Sequence, residues 1–160
     1  MIRNAVASDV DELLVIYESA RAYMRACGNP TQWPEGYIGR DLLEEDIGDG
    51  KLYAVVRNGQ TRGVFYFAVE EDPTYAVIEN GSWLDASPYG VIHRIASDGK
   101  DRGILDEAVT FALGKINHIR IDTHADNRVM QSLLRKNGFS PRGIIYVHGH
   151  SPRIAYELVK

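Results

Sequence analysis

The chain has 160 residues, of which 44% are hydrophobic and 25% are charged, a composition typical of a globular domain with a sizeable core. Its 18 Lys and Arg residues against 22 Asp and Glu residues give a net charge of −4. This charge provides no basic field for non-specific binding to nucleic acids or anionic membranes, so we expect neither as a partner.

The single cysteine, Cys27, excludes an internal disulfide framework and a zinc site built from several thiolates. No apolar run approaches the ~18 residues of a membrane span. The residues from Met1 to Val6 lead into a charged amphipathic segment rather than a signal peptide. These features predict a cytoplasmic protein. With no repeat, low-complexity tract or linker, residues 1–160 are expected to form a single domain, and a homodimer is left open.

Hydrophobic periodicity and turn residues divide the chain into alternating strands and helices. The predicted elements, in chain order, are a strand over 2–6, a helix capped by Ser8 and ended by Gly28-Asn29-Pro30, a weaker acidic helix over about 39–47, strands over 51–57, 62–70 and 90–97, a helix from Ile104, a strand over 119–123, a helix capped by Asp126 or Asn127 and ended by Gly138, and strands over 139–147 and 153–159.

The connections predict how the strands pair. Asn58-Gly59 is a strong hairpin signal, so the strands beside it should be antiparallel. The strand, long helix and strand between about 90 and 123 have the length of a right-handed crossover, which makes that pair parallel. Residues 71–88 are ambiguous, with 75–79 as one candidate strand. We therefore predict an α+β fold, layered as in α/β proteins: a mixed, mostly antiparallel central sheet flanked by helices on both faces.

The loop over 97–106 connects a strand to a helix and contains two glycines. Such a loop presents unpaired backbone N–H groups and the positive end of the helix dipole, which favour an anion such as phosphate. Many strand-to-helix turns carry glycine for turn geometry alone, so this loop by itself leaves both interpretations open.

Several motifs, in this order, resemble the GCN5-related N-acetyltransferase (GNAT) superfamily. They are Ile95-Ala96-Ser97 at the end of a strand, Lys100-Asp101-Arg102-Gly103-Ile104 in the loop, Asn127 at a helix start and Gly138-Phe139 after that helix. The resemblance covers nearly the whole chain. It implies the GNAT, or acyl-CoA N-acyltransferase, fold and transfer of an acetyl group from acetyl-CoA to the amine of a small molecule in a ternary complex.

The resemblance also implies how acetyl-CoA is held. In the family, the backbone of a strand-end triplet binds the pantetheine arm, and a Q/R-x-x-G-x-G/A loop holds the pyrophosphate. Here Lys100 replaces the first Gln or Arg, and Leu105 replaces the last Gly or Ala. A backbone N–H near Ile95 is expected to face the thioester carbonyl. The residues implied to bind acetyl-CoA are Ile95, Ala96, Ser97, Lys100, Asp101, Arg102, Gly103, Ile104, Leu105 and Asn127.

Asp122 and His93 are the first candidate catalytic residues. Asp122 occupies a strand position where similar acetyltransferases can carry a carboxylate that takes a proton from the amine, often through water. Alternatively, it caps a helix or pairs with Arg94 or Arg120. His93, on the adjacent predicted strand, can act as the base or orient Asp122, because a histidine side chain ordinarily titrates near neutral pH. It is equally consistent with a hydrogen-bonded core histidine.

His124 and Tyr146 complete the candidate catalytic set. Alternation places His124 on the same face of its predicted strand as Asp122. Many relatives carry a tyrosine as general acid seven residues after the asparagine, but here that position is Leu134. Tyr146 can substitute only if its hydroxyl reaches the sulfur, and otherwise it is a packing residue. In that case water protonates the thiolate, since a thiol has a pKa of about 8.5.

Other polar and aromatic residues admit more than one role. His124, Asp126, His148 and His150 lack a third metal ligand at fixed spacing, so no metal site is expected. Five side chains are candidates for the acceptor pocket, although the tryptophans are equally consistent with core or rim packing; they are Trp33, Glu35, Tyr66, Trp83 and Tyr89. Two rival functions remain: a GNAT-fold protein that binds CoA without catalysis, and a metal-dependent enzyme on an unrelated α+β fold.

Overall fold

The computed structural model describes all 160 residues, as seven strands and four helices with two short 3-10 turns. The elements are β1 (Ile2–Asn4), α1 (Val10–Ala26), α2 (Arg40–Gly48), β2 (Leu52–Arg57), β3 (Gln60–Val69), β4 (Gly90–Ser97), α3 (Ile104–Leu113), β5 (His118–Thr123), α4 (Arg128–Lys136), β6 (Ser140–Val147) and β7 (Ser151–Val159). None of the helices has the length and apolarity needed to cross a membrane.

All seven strands form one mixed sheet in the order β1-β2-β3-β4-β5-β7-β6. The pairs β1–β2, β2–β3 and β3–β4 are antiparallel, and so are the pairs β5–β7 and β6–β7. Only β4 and β5 run parallel, joined by the crossover through α3. The predicted hairpin is present, with both Asn58 and Gly59 at positive φ as a two-residue turn of this kind requires. The predicted mixed, mostly antiparallel sheet is therefore confirmed.

Each face of the sheet is covered by a hydrophobic core. On one face, α1 and α2 bury an apolar stripe that includes Leu13, Ile16 and Leu43. On the other face, α3 and α4 bury residues such as Leu105 and Leu134. Because alternate side chains of a strand point to opposite faces, the central strands supply apolar residues to both cores. The predicted layering, with helices on both faces, is confirmed.

Local details differ from the sequence predictions at two places. Ser8 lies in a 3-10 turn before α1, and the side chain of Asp9, not Ser8, accepts the Val6 N–H at 2.8 Å. The candidate strand over 75–79 is instead a 3-10 turn over Pro73–Tyr75, followed by a single bridge between Glu79 and Ile144. Prolines and Asn80-Gly81 prevent this segment from forming a continuous strand.

The parallel strands β4 and β5 pair only at their first residues. Gly90 and Val91 pair with Ile119 and Arg120, and no register continues beyond them. From Ile92 onward, β4 keeps its partner β3 on one edge while its other edge has no strand beside it. The two strands therefore diverge toward their C-terminal ends and open a cleft in the middle of the sheet.

Candidate functional site

A cavity of about 930 Å³ occupies the cleft between β4 and β5. Its walls are the diverging ends of the two strands, the loop before α3, the first turns of α4 and the loop between α1 and α2. In a sheet with parallel strands, the C-terminal strand ends are the usual position of a ligand site.

A β-bulge in β4 shapes one wall of this cleft. The β3–β4 register shifts between Val64 and Tyr66, so that two β4 residues oppose one β3 residue, and Arg94 has a φ of 48°. An arginine in the left-handed region is strained and persists only where its surroundings hold it. The Tyr17 hydroxyl donates to the Arg94 carbonyl at 2.8 Å, and the guanidinium pairs with Asp46 at 2.6 Å. These contacts hold the bend that turns β4 away from β5.

The loop before α3 presents free hydrogen-bond donors to the cavity. Gly99 and Gly103 both have positive φ, and the backbone N–H groups of Gly103, Ile104 and Leu105 donate to no protein acceptor. They lie at the positive end of the helix dipole, where an anion is stabilised.

Cationic side chains surround the same end of the cavity. Arg102 and Arg128 line it, and neither has a carboxylate within 4.0 Å. Lys136 also lines it and pairs with Asp106 at 3.3 Å. Asp101, Asp106 and Asp126 also line this end, so what it offers an anionic ligand is two guanidinium groups without a carboxylate partner, those of Arg102 and Arg128.

A cluster of titratable groups lies where β4 and β5 begin to diverge. The Nε2 atom of His93 lies 2.7 Å from a carboxylate oxygen of Asp72. Its Nδ1 atom lies 3.9 Å from the carboxylate of Asp122. The hydroxyl of Tyr75 donates to that same Asp122 oxygen at 2.7 Å.

The environment determines which of these groups carry protons. Burial raises the pKa of Asp72, but hydrogen bonds from His93 and Thr74 outweigh it, and the pKa lies at about 2. The ionised Asp72 therefore accepts a hydrogen bond from Nε2–H of His93, and Nδ1 is the ring nitrogen that faces Asp122. Burial and the neighbouring Asp122 raise the pKa of Tyr75 well above its usual value, so Tyr75 stays a donor. Two proton acceptors, His93 Nδ1 and the Asp122 carboxylate, thus lie side by side.

The loop between α1 and α2 closes the other end of the cavity. The Gln32 side-chain oxygen accepts hydrogen bonds from Asn29 and Asn127, each at 2.9 Å. Asn127 also caps α4 by accepting the Met130 N–H at 3.1 Å, as predicted. The Gln32 carbonyl accepts a bond of 2.7 Å from Arg153 of β7. The loop is therefore tied to both sides of the cleft.

The structure brings most of the predicted site residues to this cavity. His93 and Asp122 line it, and the predicted acetyl-CoA residues that line it are Ile95, Ala96, Ser97, Asp101, Arg102, Gly103, Ile104, Leu105 and Asn127. Lys100 does not line it.

His124 and Tyr146 are not brought to the cavity. The strand ends at Thr123, so alternation does not extend to His124, whose Nδ1 accepts the Asp126 N–H at 3.0 Å. Tyr146 donates to Glu79 at 2.9 Å and packs against His150. Leu134 is fully buried in the core of the α3–α4 face.

The structure also shows the partners and positions of the remaining candidate residues. Asp122 pairs with neither Arg94 nor Arg120, because Arg94 pairs with Asp46 and Arg120 pairs with Glu157. Of the five predicted pocket residues, Trp33 lines the cavity, whereas Glu35, Tyr66, Trp83 and Tyr89 do not. No cluster of three or more His, Cys, Asp or Glu residues is arranged to hold a metal ion.

Several residues at the site were not predicted, among them Gln32, Arg128 and Lys136 and three that lie near Asp122. Asp72 and Tyr75 come from the ambiguous segment 71–88, which contacts the site only through tertiary folding. Arg153 lies between apolar residues on a strand and is only 3% exposed. Alternation places Arg153 on the same strand face as Ser151 and Glu157, so no local pattern indicates that it is buried.

No family model matches the chain, and no curated protein matches it. Solved structures, in contrast, match along its whole length. An acetyltransferase of the GNAT family from Streptococcus agalactiae superposes with a TM-score of 0.91 at 27% identity, covering 100% of this chain and 95% of that one.

Two further solved structures share the fold at lower identity. A putative acetyltransferase from Staphylococcus aureus has a TM-score of 0.73 at 24% identity, and the match covers 99% of this chain and 98% of that one. A ribosomal-protein-alanine N-acetyltransferase from Brucella melitensis has a TM-score of 0.63 at 18% identity, with 100% and 99% covered.

Proposed function

As a member of the GNAT superfamily the chain is an acyltransferase, and we propose that it transfers the acetyl group of acetyl-CoA to the amine of a small molecule, directly and within a ternary complex. One observation carries this proposal: the cleft between β4 and β5 joins an anion-binding rim to a pair of proton acceptors in a single cavity. We further propose that residues 1–160 act as one domain and that the protein is cytoplasmic, as its lone cysteine favours.

The residues of the cleft fit acetyl-CoA. Its pyrophosphate requires donors and positive charge, which the free N–H groups of Gly103, Ile104 and Leu105 and the side chains of Arg102 and Arg128 supply. Its pantetheine arm carries amides, which the unpaired edge of β4 from Ile92 onward can bind as a further strand would. When bound, the molecule supplies an acetyl thioester activated for attack by an amine.

The chain's own residues can prepare the acceptor amine. An alkyl amine is protonated at neutral pH and must lose a proton before it can act as a nucleophile. Asp122 and His93 Nδ1 are placed to accept that proton. Asp72 fixes the tautomer of His93, and Tyr75 fixes the orientation of the Asp122 carboxylate. Asp72 and Tyr75 are therefore positioning residues.

The closed end of the cavity supports a small acceptor. Hydrogen bonds of Gln32 with Asn127 and Arg153 tie the α1–α2 loop to the start of α4 and to β7, so the chain bounds the cavity on this side. Three of the structurally similar proteins act on ribosomal proteins, as their names state. Peptide amines therefore belong in any test of the acceptor.

Release of free CoA thiol, followed in the presence of an amine panel, tests the proposal. We expect acetyl-CoA to bind with one site per chain and thiol release to require an acceptor amine. Intersecting initial-rate lines for the two substrates would support the ternary complex. Tight binding of acetyl-CoA without thiol release from any amine would favour the rival function, a GNAT-fold protein that binds CoA without catalysis.

A further inference from the structure

Arg153 is the one buried arginine of the cleft that has no carboxylate partner. Its side chain lines the cavity although the residue is only 3% exposed. Its guanidinium donates to three neutral oxygens: the Ser151 hydroxyl, the Pro152 carbonyl at 3.1 Å and the Gln32 carbonyl at 2.7 Å. These bonds satisfy donors but leave the positive charge without a counter-charge in contact.

The other shielded arginines are paired. Arg94, which also lines the cavity, contacts Asp46 at 2.6 Å, and Arg120 contacts Glu157 at 3.2 Å. Burial lowers the pKa of Arg153, and the attraction of Asp122 only partly offsets this effect. A buried cation without a paired anion is costly, so the position of Arg153 at a cavity wall points to a ligand that supplies the anion.

The strand register places Arg153 beside the proposed proton acceptors. Asp122 of β5 lies opposite Ala155 of β7, and Arg153 shares the face of Ala155 because it is two residues away. Arg153 is thus a diagonal neighbour of Asp122, within reach of a long side chain. A positive and a negative group therefore flank the same acceptor space, as a zwitterion requires.

We propose that the acceptor is a free amino acid, with its amine directed toward Asp122 and His93 and its carboxylate bound by Arg153. This inference rests on the proposed acetyl transfer and specifies its substrate class. His148 also lines the cavity, and burial and the charge of Arg153 lower its pKa. A neutral His148 leaves Arg153 as the cation available to the carboxylate. A peptide N-terminus has no carboxylate at this distance from its amine.

The first test compares each common L-amino acid with its own α-carboxamide, using acetyl-CoA and the wild-type protein. Thiol release should give a kcat/KM for the preferred amino acid about 100-fold above that for its amide, the size expected when a buried charge loses its partner. Peptides with free N-termini should resemble the amides. Equal or better turnover of amides or peptides would overturn the inference while leaving acetyl transfer intact.

The second test replaces the guanidinium. Arg153→Gln should lower kcat/KM for the amino acid by about 100-fold and leave kcat/KM for its amide unchanged. Arg153→Lys should restore part of the lost kcat/KM. Arg142→Gln, on the neighbouring strand and away from the cavity, is the matched control. If Arg153 has a purely structural role, Arg153→Gln would lower kcat/KM equally for the amino acid and for its amide. That result would overturn the inference. If Arg153→Gln fails to fold, the comparison of amino acids with their amides in the wild-type protein still tests the inference.

A binding measurement separates failure of the inference from failure of the proposed function. Amino acids and their amides are titrated calorimetrically into the wild-type protein saturated with CoA. Preferential binding of an amino acid without any turnover would support the carboxylate site while contradicting acetyl transfer. Equal binding of acid and amide, or binding of neither, would overturn the carboxylate site.

Discussion

The carboxylate of Asp122 is the group on which the proposed acetyl transfer depends most. It was predicted from its strand position, and the structure places it in the cavity, 3.9 Å from His93. Its hydrogen bond with Tyr75 was not predictable, because Tyr75 comes from a segment with no regular pattern. Alternation within a strand is readable from sequence, whereas contacts across 47 residues depend on the completed fold.

Asp122→Asn should lower the acetylation rate by about 100-fold, the lower end of what a positioned proton acceptor contributes. The affinity for acetyl-CoA should be nearly unchanged, because Asp122 lies away from the anion-binding rim. Steady-state kinetics and calorimetry measure the two quantities separately. Asp49→Asn, at the end of α2, is the control. Undiminished turnover by Asp122→Asn would remove this residue from catalysis.

At the scale of elements, strands and helices followed from local patterns, but the opening of the sheet did not. The Asn58-Gly59 hairpin and the β4-α3-β5 crossover were predicted with their correct pairing. The bulge was not predictable, since Arg94 gives no sign that its φ is positive. It is held by Tyr17 and Asp46, which lie 77 and 48 residues away along the chain. The opening of the cleft therefore depends on long-range contacts, which local sequence patterns do not predict.

The glycine before α3 provides a test at this scale. Gly103 has a φ of 85°, which a β-branched residue cannot adopt without strain. Gly103→Val should therefore shift the loop, redirect its free N–H groups and weaken acetyl-CoA binding by about 10-fold, a loss of about 1.4 kcal/mol.

Gly50→Val is a matched control for this substitution. Gly50 also has a positive φ, of 69°, and an added Cβ there meets nothing within 4 Å. Backbone strain in Gly50→Val should lower the free energy of unfolding about as much as in Gly103→Val, by about 1–3 kcal/mol, without changing the affinity for acetyl-CoA. Thermal unfolding and calorimetry distinguish the two variants. Equal affinity in wild type and Gly103→Val would argue that this loop does not hold the pyrophosphate.

At the scale of the whole molecule, the net charge does not show where individual cations lie. The chain carries a net charge of −4, yet Arg102, Arg128, Lys136 and Arg153 line the cavity. Composition predicted the overall sign and the absence of a basic field. These cations meet at one cleft because the fold packs α3, α4 and β7 around it, and composition does not reveal that packing.

The ionised carboxylate of Asp72 also stabilises the folded state. Its pKa of about 2 lies below its ordinary value of about 3.9, so its contribution is present above about pH 4 and is lost as the pH falls through about 2. Asp72→Asn should therefore be less stable than wild type by about 2 kcal/mol at pH 7. The difference should vanish near pH 2. Denaturant unfolding at several pH values measures it, and a difference independent of pH would contradict the assigned ionisation.

Direct acetyl transfer is the central claim, and mass spectrometry with acetyl-CoA labelled with ¹³C in the acetyl group tests it most directly. The exposed Cys27 lines the cavity, so it is the residue on which an acetyl-enzyme intermediate would form. We predict that the label appears on the amine of an amino acid and that the intact mass of the protein stays unchanged during turnover. Label on the protein, or CoA release that leaves only labelled acetate, would contradict direct transfer.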